Sequence, residues 1–180
     1  MAGLLDQTGI ENFYDVASTN DFTRKNLFRV VSLGGQRFTT NELIYMTTAT
    51  LPARAITNIP TAFMGMNFNV PGTATYPGSE AWNITFRIPQ NLSIRRKLED
   101  WTNYVFSDQT STGAYSIPSN AVENQTIITL LDKQGNPLRT YTLFGCYCQS
   151  TGTFDLNMAD TGTLVEATAV IAYQYWRLSR

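Results

Sequence analysis

A mainly β fold is the class this sequence predicts: an antiparallel β-sandwich or barrel of about seven strands, with one packed α-helix over about 93–106. Short runs of alternating apolar and polar residues recur along the chain, Trp82, Ile84, Phe86 and Ile88 against Asn83, Thr85 and Arg87 being the clearest. Glycine- and proline-bearing turns separate most of these runs. Only one stretch changes to helical spacing, with Ile94, Leu98, Trp101 and Val105 falling on one face.

Residues 1–26 are polar and read as an N-terminal arm, leaving 27–180 as a single domain. Leu27–Leu33 and Gln36–Met46 are both β-rich, and Gly34-Gly35 between them predicts a hairpin, because a primed turn needs positive φ at its centre. Residues 48–60 have no regular period and are bounded by Pro52 and Pro60, which cannot donate to a ladder; they are expected to form an extended apolar loop. Met66–Val70 alternates as a half-buried strand, and Pro71-Gly72 marks a turn after it. Ser93 is placed to cap the helix, whose outer face pairs Arg95 with Glu99 and Arg96 with Asp100 at i,i+4. The Ser/Thr/Asn-rich residues 107–124 form a flexible insert. A second hairpin joins 125–131 to 138–144 through Asp-Lys-Gln-Gly-Asn-Pro, and Glu166–Trp176 closes the chain as one strand apolar on both faces.

With 180 residues, 43% of them apolar and 12% aromatic, the chain can bury a sizeable core without staples. Thirteen basic residues face fourteen acidic ones, so its charge suggests no grip on phosphates or anionic lipid. The charged fraction is 15%, low against the ~25% of typical domains, which points to a surface covered by copies of itself. The first 25 residues show no signal-like pattern and no run approaches the ~20 apolar residues of a membrane span; a chain that starts life in the cytoplasm and is not a membrane protein is expected.

Residues suited to catalysis are scarce. The chain has no histidine, which removes the Ser-His-Asp and Cys-His arrangements and the commonest base near neutral pH. Cys146 and Cys148, two apart, read as a free pair, and two thiolates without histidine cannot close a zinc site. No phosphate-cradling glycine motif is present. Asp155 with Asp160 or Glu166 could be offered as a glycosidase pair, but acids among Thr, Gly and Asn cap turns. Trp82 and Trp101 fall on apolar faces and read as core rather than as a stacking platform for single strands. The expectation is a protein that is not an enzyme, with no catalytic residue, metal or cofactor.

From Asn26-Leu27-Phe28-Arg29-Val30 onwards the chain resembles the tail tube proteins of contractile-tailed bacteriophages. Ala49-Thr50-Leu51-Pro52, Ile59-Pro60, Phe63-Met64, Phe68-Asn69-Val70-Pro71-Gly72, Trp82-Asn83-Ile84-Thr85-Phe86, the helix Arg95–Trp101 and the close at Ala172–Trp176 carry the likeness, in family order, from about residue 22 to 177. The longer arm and the insert depart from it. The resemblance implies hexameric rings stacked into a hollow tube inside a sheath, a conduit for genome ejection, on a plan shared with pyocin and type VI secretion tubes. It implies as partners the chain itself, the tail sheath protein, and baseplate and tail terminator proteins, in a virion tail assembled in the host cytoplasm. DNA would pass through the lumen without specific binding. A baseplate or tube-terminator role on the same fold is the alternative, and a secreted effector enzyme the reading from another class.

Within that frame Thr48, Leu51, Pro52, Ile56, Ile59 and Pro60 are the expected inter-ring stacking loop, apolar residues without a period that would bury them in their own domain. Glu42, Glu123 and Asp132, on or beside the hairpin strands, are the candidate lumen acids.

Overall fold

The computed structural model describes residues 7–19, 22–113 and 117–179. Residues 1–6, 20 and 21 of the expected arm, 114–116 of the expected insert, and Arg180 lie outside the described residues. In chain order come α1 (Gln7–Thr19), β1 (Phe28–Ser32), α2 (Thr40–Leu43), β2 (Met46–Ala49), β3 (Ala55–Phe63), β4 (Met66–Thr75), β5 (Trp82–Arg87) and α3 (Ser93–Val105). Then follow β6 (Phe106–Ser107), β7 (Thr112–Gly113), a 3-10 turn at Val122–Asn124, β8 (Thr126–Leu131), β9 (Pro137–Phe144), β10 (Tyr147–Thr151), β11 (Glu166–Ala172) and β12 (Tyr175–Ser179).

Two four-stranded antiparallel sheets make the sandwich, in the orders β1-β8-β9-β12 and β10-β11-β5-β2. The alternation in β5 is the reason it sits inside its sheet: Trp82, Ile84 and Phe86 are buried, while Asn83 and Arg87 face water. These side chains meet Val30, Ile128 and Leu143 of the other sheet in one core, which Ile94, Leu98 and Trp101 of α3 complete. The β8–β9 hairpin forms as its sequence predicts, and Asp132 organises the turn by accepting from the backbone N–H of Gln134 and of Asn136, each at 2.8 Å.

Several expectations are corrected. Gly34-Gly35 does not join two paired strands: β1 pairs with β8, and Gln36–Met46 contains α2 and only the first residue of a strand. The glycines are needed for close approach instead, since both have positive φ and a Cβ at Gly34 would lie 2.6 Å from the Trp101 ring. Ser93 is the first helical residue rather than the cap; Leu92 holds the cap position in a left-handed conformation, and Asn91 Oδ1 accepts from the Ser93 N–H at 3.1 Å. Arg95 pairs with Glu99 at 2.5 Å and also donates to the Gly152 carbonyl, whereas no Arg96–Asp100 ion pair forms among the described residues. The final strand is two strands in different sheets, broken at Tyr173-Gln174, and β11 alternates rather than burying both faces. The insert holds the small β6–β7 hairpin and the 3-10 turn. The arm contains α1, whose Ile10, Phe13 and Tyr14 lie at helical spacing that the reading of residues 1–26 as a polar arm passes over.

Candidate assembly surface

Residues 48–60 do not form a loop: from Ala55 they are β3, which pairs with β4 in a long two-stranded ribbon outside both sheets. Its turn is Met64-Gly65, not Pro71-Gly72. Phe63 pairs with Met66, and Met64 and Gly65 both take positive φ, 51° and 79°, as a primed two-residue turn requires. Pro71 and Gly72 lie within β4, opposite a bulge between Ile56 and Asn58. Pro71 has no N–H to give, and Thr57 takes up the pairing: its hydroxyl accepts from the Thr73 N–H at 3.0 Å and lies 3.1 Å from the Thr73 carbonyl. A Cβ at Gly72 would sit 2.8 Å from that hydroxyl oxygen, so the crossing needs glycine.

The ribbon has no core. Every residue of β3 and β4 is exposed except half-buried Ala55 and Gly72. Ile56, Ile59, Phe63, Met64, Met66, Phe68 and Val70 are all exposed, and the register sets Ile59, Phe63, Met66, Phe68 and Val70 side by side on one face of the ribbon as an apolar surface open to solvent, with Asn67 and Asn69 on the other. Its base is held firmly. The indole N–H of Trp82 donates to the Thr50 carbonyl at 2.8 Å, and that of Trp176 to the Ala53 carbonyl at 2.9 Å, so one tryptophan from each sheet fastens the segment that leads into β3.

Of the residues expected to stack, Leu51, Ile56, Ile59 and Pro60 are exposed, as is Thr48 on β2, while Pro52 is buried in the subunit at the ribbon's base and is not available for contact. The sequence reading missed the second half of the surface, Phe63 to Val70. It assigned Met66–Val70 to a half-buried strand from alternation that here separates two exposed faces.

The candidate acids are not brought together. Glu42 lies in α2 rather than on a hairpin strand, accepts from the Thr39 N–H at 2.8 Å and pairs with Lys97 at 2.7 Å. Burial would raise its pKa, but the Lys97 ammonium and the Thr39 donors outweigh this and bring it down to about 2. Its folded pKa lies below the unfolded value of 4.5, so the stability it contributes is present above pH 4.5 and is lost as pH falls toward 2. Glu42→Gln is expected to cost ~1–3 kcal/mol at pH 7 and to flatten the acid limb of a urea-stability curve below pH 4.5. An unchanged acid limb would refute the structural role. Glu123 is exposed in the 3-10 turn, and Asp132 is held below the usual carboxylate range by the Asn136 side chain and the turn amides.

The two cysteines are free and buried, and burial pushes Cys146 up to about 11 and Cys148 to about 12, leaving neutral thiols rather than nucleophiles. Of the acids weighed for glycoside cleavage, Asp160 accepts from the Thr163 hydroxyl at 2.7 Å as a turn bond, and Glu166 pairs with Arg87 across β11 and β5 at 3.4 Å.

The chain is 36% identical over 85 residues to tail tube protein gp19 of Enterobacteria phage T4, covering 46% of this chain and 47% of that protein, and 35% identical over 85 residues to its counterpart in phage T6. It thus spans about half the length of these curated relatives. In fold it is similar to a chain of the sheath-tube complex of an extracellular contractile injection system (TM-score 0.54, 13% identity, covering 92% of this chain and 96% of that one). It is also similar to a chain of the anti-feeding prophage tube-terminating cap (TM-score 0.60, 15% identity, covering 89% and 92%). The phage tail tube protein family matches residues 10–179, nearly the whole length, and the chain belongs to that family.

Proposed function

We propose that the chain forms six-membered rings that stack into a hollow tube within a contractile sheath, the conduit by which a phage genome leaves the virion. The observation that carries the stacking is the β3–β4 ribbon: an apolar surface with no core of its own, fixed at its base, is what a subunit lays against the next ring. Thr48, Leu51, Ile56, Ile59 and Pro60 contribute from one strand and its approach, and Phe63 to Val70 from the other. The protein has a structural role, without catalysis, in a tail assembled in the host cytoplasm with sheath, baseplate and terminator partners. The likeness to the tube-terminating cap favours a terminator as the second reading.

Negative-stain electron microscopy of the purified chain is expected to show long open tubes of uniform diameter. Single capped rings would favour the terminator, and a monomer at high concentration would overturn both. The same tubes are expected to release duplex DNA. Each Lys or Arg neutralising a phosphate would be repeated by symmetry along the tube and act as a brake, and the chain is near neutral with a pI of about 5.4. Glu123 and Asp132 remain the candidate lumen acids; Glu42 is engaged with Lys97. Retention at ~50 mM salt that weakens steeply as salt rises would show a basic lumen or surface instead.

A further inference from the structure

Helix α1 is amphipathic and uncovered. Ile10, Phe13 and Tyr14, at i, i+3 and i+4, are all more than 60% exposed, and among the described residues Phe13 alone of them has a ring partner, Phe22 at 6.3 Å. A helix of 13 residues is marginal in water without something to pack on. Its polar face is one-signed: Glu11 and Asp15 are its charges, with no basic residue between Gln7 and Thr19.

A complementary groove lies elsewhere on the same subunit. Between β1, β8 and the segment after β2, Phe28, Leu51, Ile128 and Leu130 line a depression of about 280 Å³ whose remaining lining includes Arg24 and Lys25 and no acid. Neither cation forms an ion pair among the described residues. An apolar floor with two unpaired cations suits an acidic amphipathic helix better than it suits the uncharged tip of the β3–β4 ribbon.

We propose that α1 is an exchanged arm: it lies in the Arg24–Lys25 groove of an adjacent copy, its Ile10-Phe13-Tyr14 stripe on the floor and Glu11 and Asp15 toward the cations. Its own groove is poorly placed to receive it. That groove starts at Thr23, a few residues beyond a helix ~20 Å long, so docking within one copy needs the chain to reverse over its own linker and part Phe13 from Phe22. This inference rests on the tube reading, which brings identical copies into contact, and it gives Leu51 a definite neighbour.

The test uses the full chain carrying Tyr14→benzoylphenylalanine, assembled as an equal mixture of heavy-isotope and unlabelled copies, irradiated and mapped by mass spectrometry. Mixed-isotope cross-links from position 14 to peptides holding residues 23–28, 49–51 or 128–130 are expected. Glu11→Lys with Asp15→Lys should lower their yield about tenfold, and mixing that chain with one carrying Arg24→Glu and Lys25→Glu should restore it. Same-isotope links alone would show docking within one copy and overturn the exchange, as would links to the ribbon tip or a yield indifferent to charge reversal. Tubes without groove cross-links defeat the exchange only; a monomeric chain defeats the tube reading as well.

Discussion

Leu51→Asp with Ile59→Asp is expected to yield a subunit that folds normally and does not elongate. Both side chains are about half exposed in the isolated subunit, at 46% and 54%, so the fold should lose no more than ~0.5 kcal/mol. Assembly loses far more. Each half-exposed apolar side chain covered by a neighbour stabilises the contact by ~0.8–1.5 kcal/mol, and each aspartate adds a carboxylate that must be stripped of water at a further cost of ~1 kcal/mol or more. A combined loss of ~3–6 kcal/mol per contact lowers association by ~10²–10⁴-fold, repeated at every subunit of a ring. Circular dichroism and thermal melting should match the parent while sedimentation and microscopy show no long tubes. Unfolding would mean that these residues belong to the core, and normal tubes would mean that the ribbon does not stack.

The second large effect is expected inside the subunit. Trp101 is 1% exposed, stacks obliquely on Phe38 at 6.3 Å, lies under the Arg37 guanidinium at 5.5 Å and fills the space that Gly34 leaves. Trp101→Ala removes the largest side chain of α3 from the core and leaves a cavity that the glycine cannot close. The expected cost is ~3–5 kcal/mol, a large part of the ~5–15 kcal/mol by which a domain of this size is stable. The urea midpoint should fall accordingly and the melting temperature by ~10 °C or more. A loss under ~1 kcal/mol would show that the indole is not a keystone of the helix–sheet contact.

What the sequence made legible follows from what the fold buries. The periodicity of Ile94, Leu98 and Trp101 marked α3, and the alternation around Trp82–Phe86 marked β5, because each element turns one face to the core. The β8–β9 hairpin was legible through its turn chemistry at Asp132–Asn136. The ribbon was half hidden for the opposite reason. Neither of its faces is buried within the subunit, so its pattern does not distinguish core from solvent, and Pro60 and Pro71 read as breaks although each sits in a ladder that tolerates a missing donor. The reading of 48–60 as an assembly segment recognised unburied apolar residues without their strand. Two signals were available and unread. One is the i, i+3, i+4 stripe of α1; the other is the capping pair of Thr39 and Glu42, three residues apart, which opens α2 within a stretch taken for a strand.

The ribbon's lack of a core also bears on how a tube would begin. A two-stranded hairpin standing alone in water is marginal, so in a free subunit β3 and β4 gain order only from their fastened base at Thr50 and Ala53. In the proposed tube, a completed ring would offer a surface that covers the rest and favours its order. Two free subunits meeting in solution must each stiffen a ribbon for a small contact, whereas one arriving at an existing end meets a prepared template. If the subunits stack as proposed, initiation would be slow and extension fast, and a pool of subunits would persist unassembled until a seed appears, with the number of tubes set by the number of seeds.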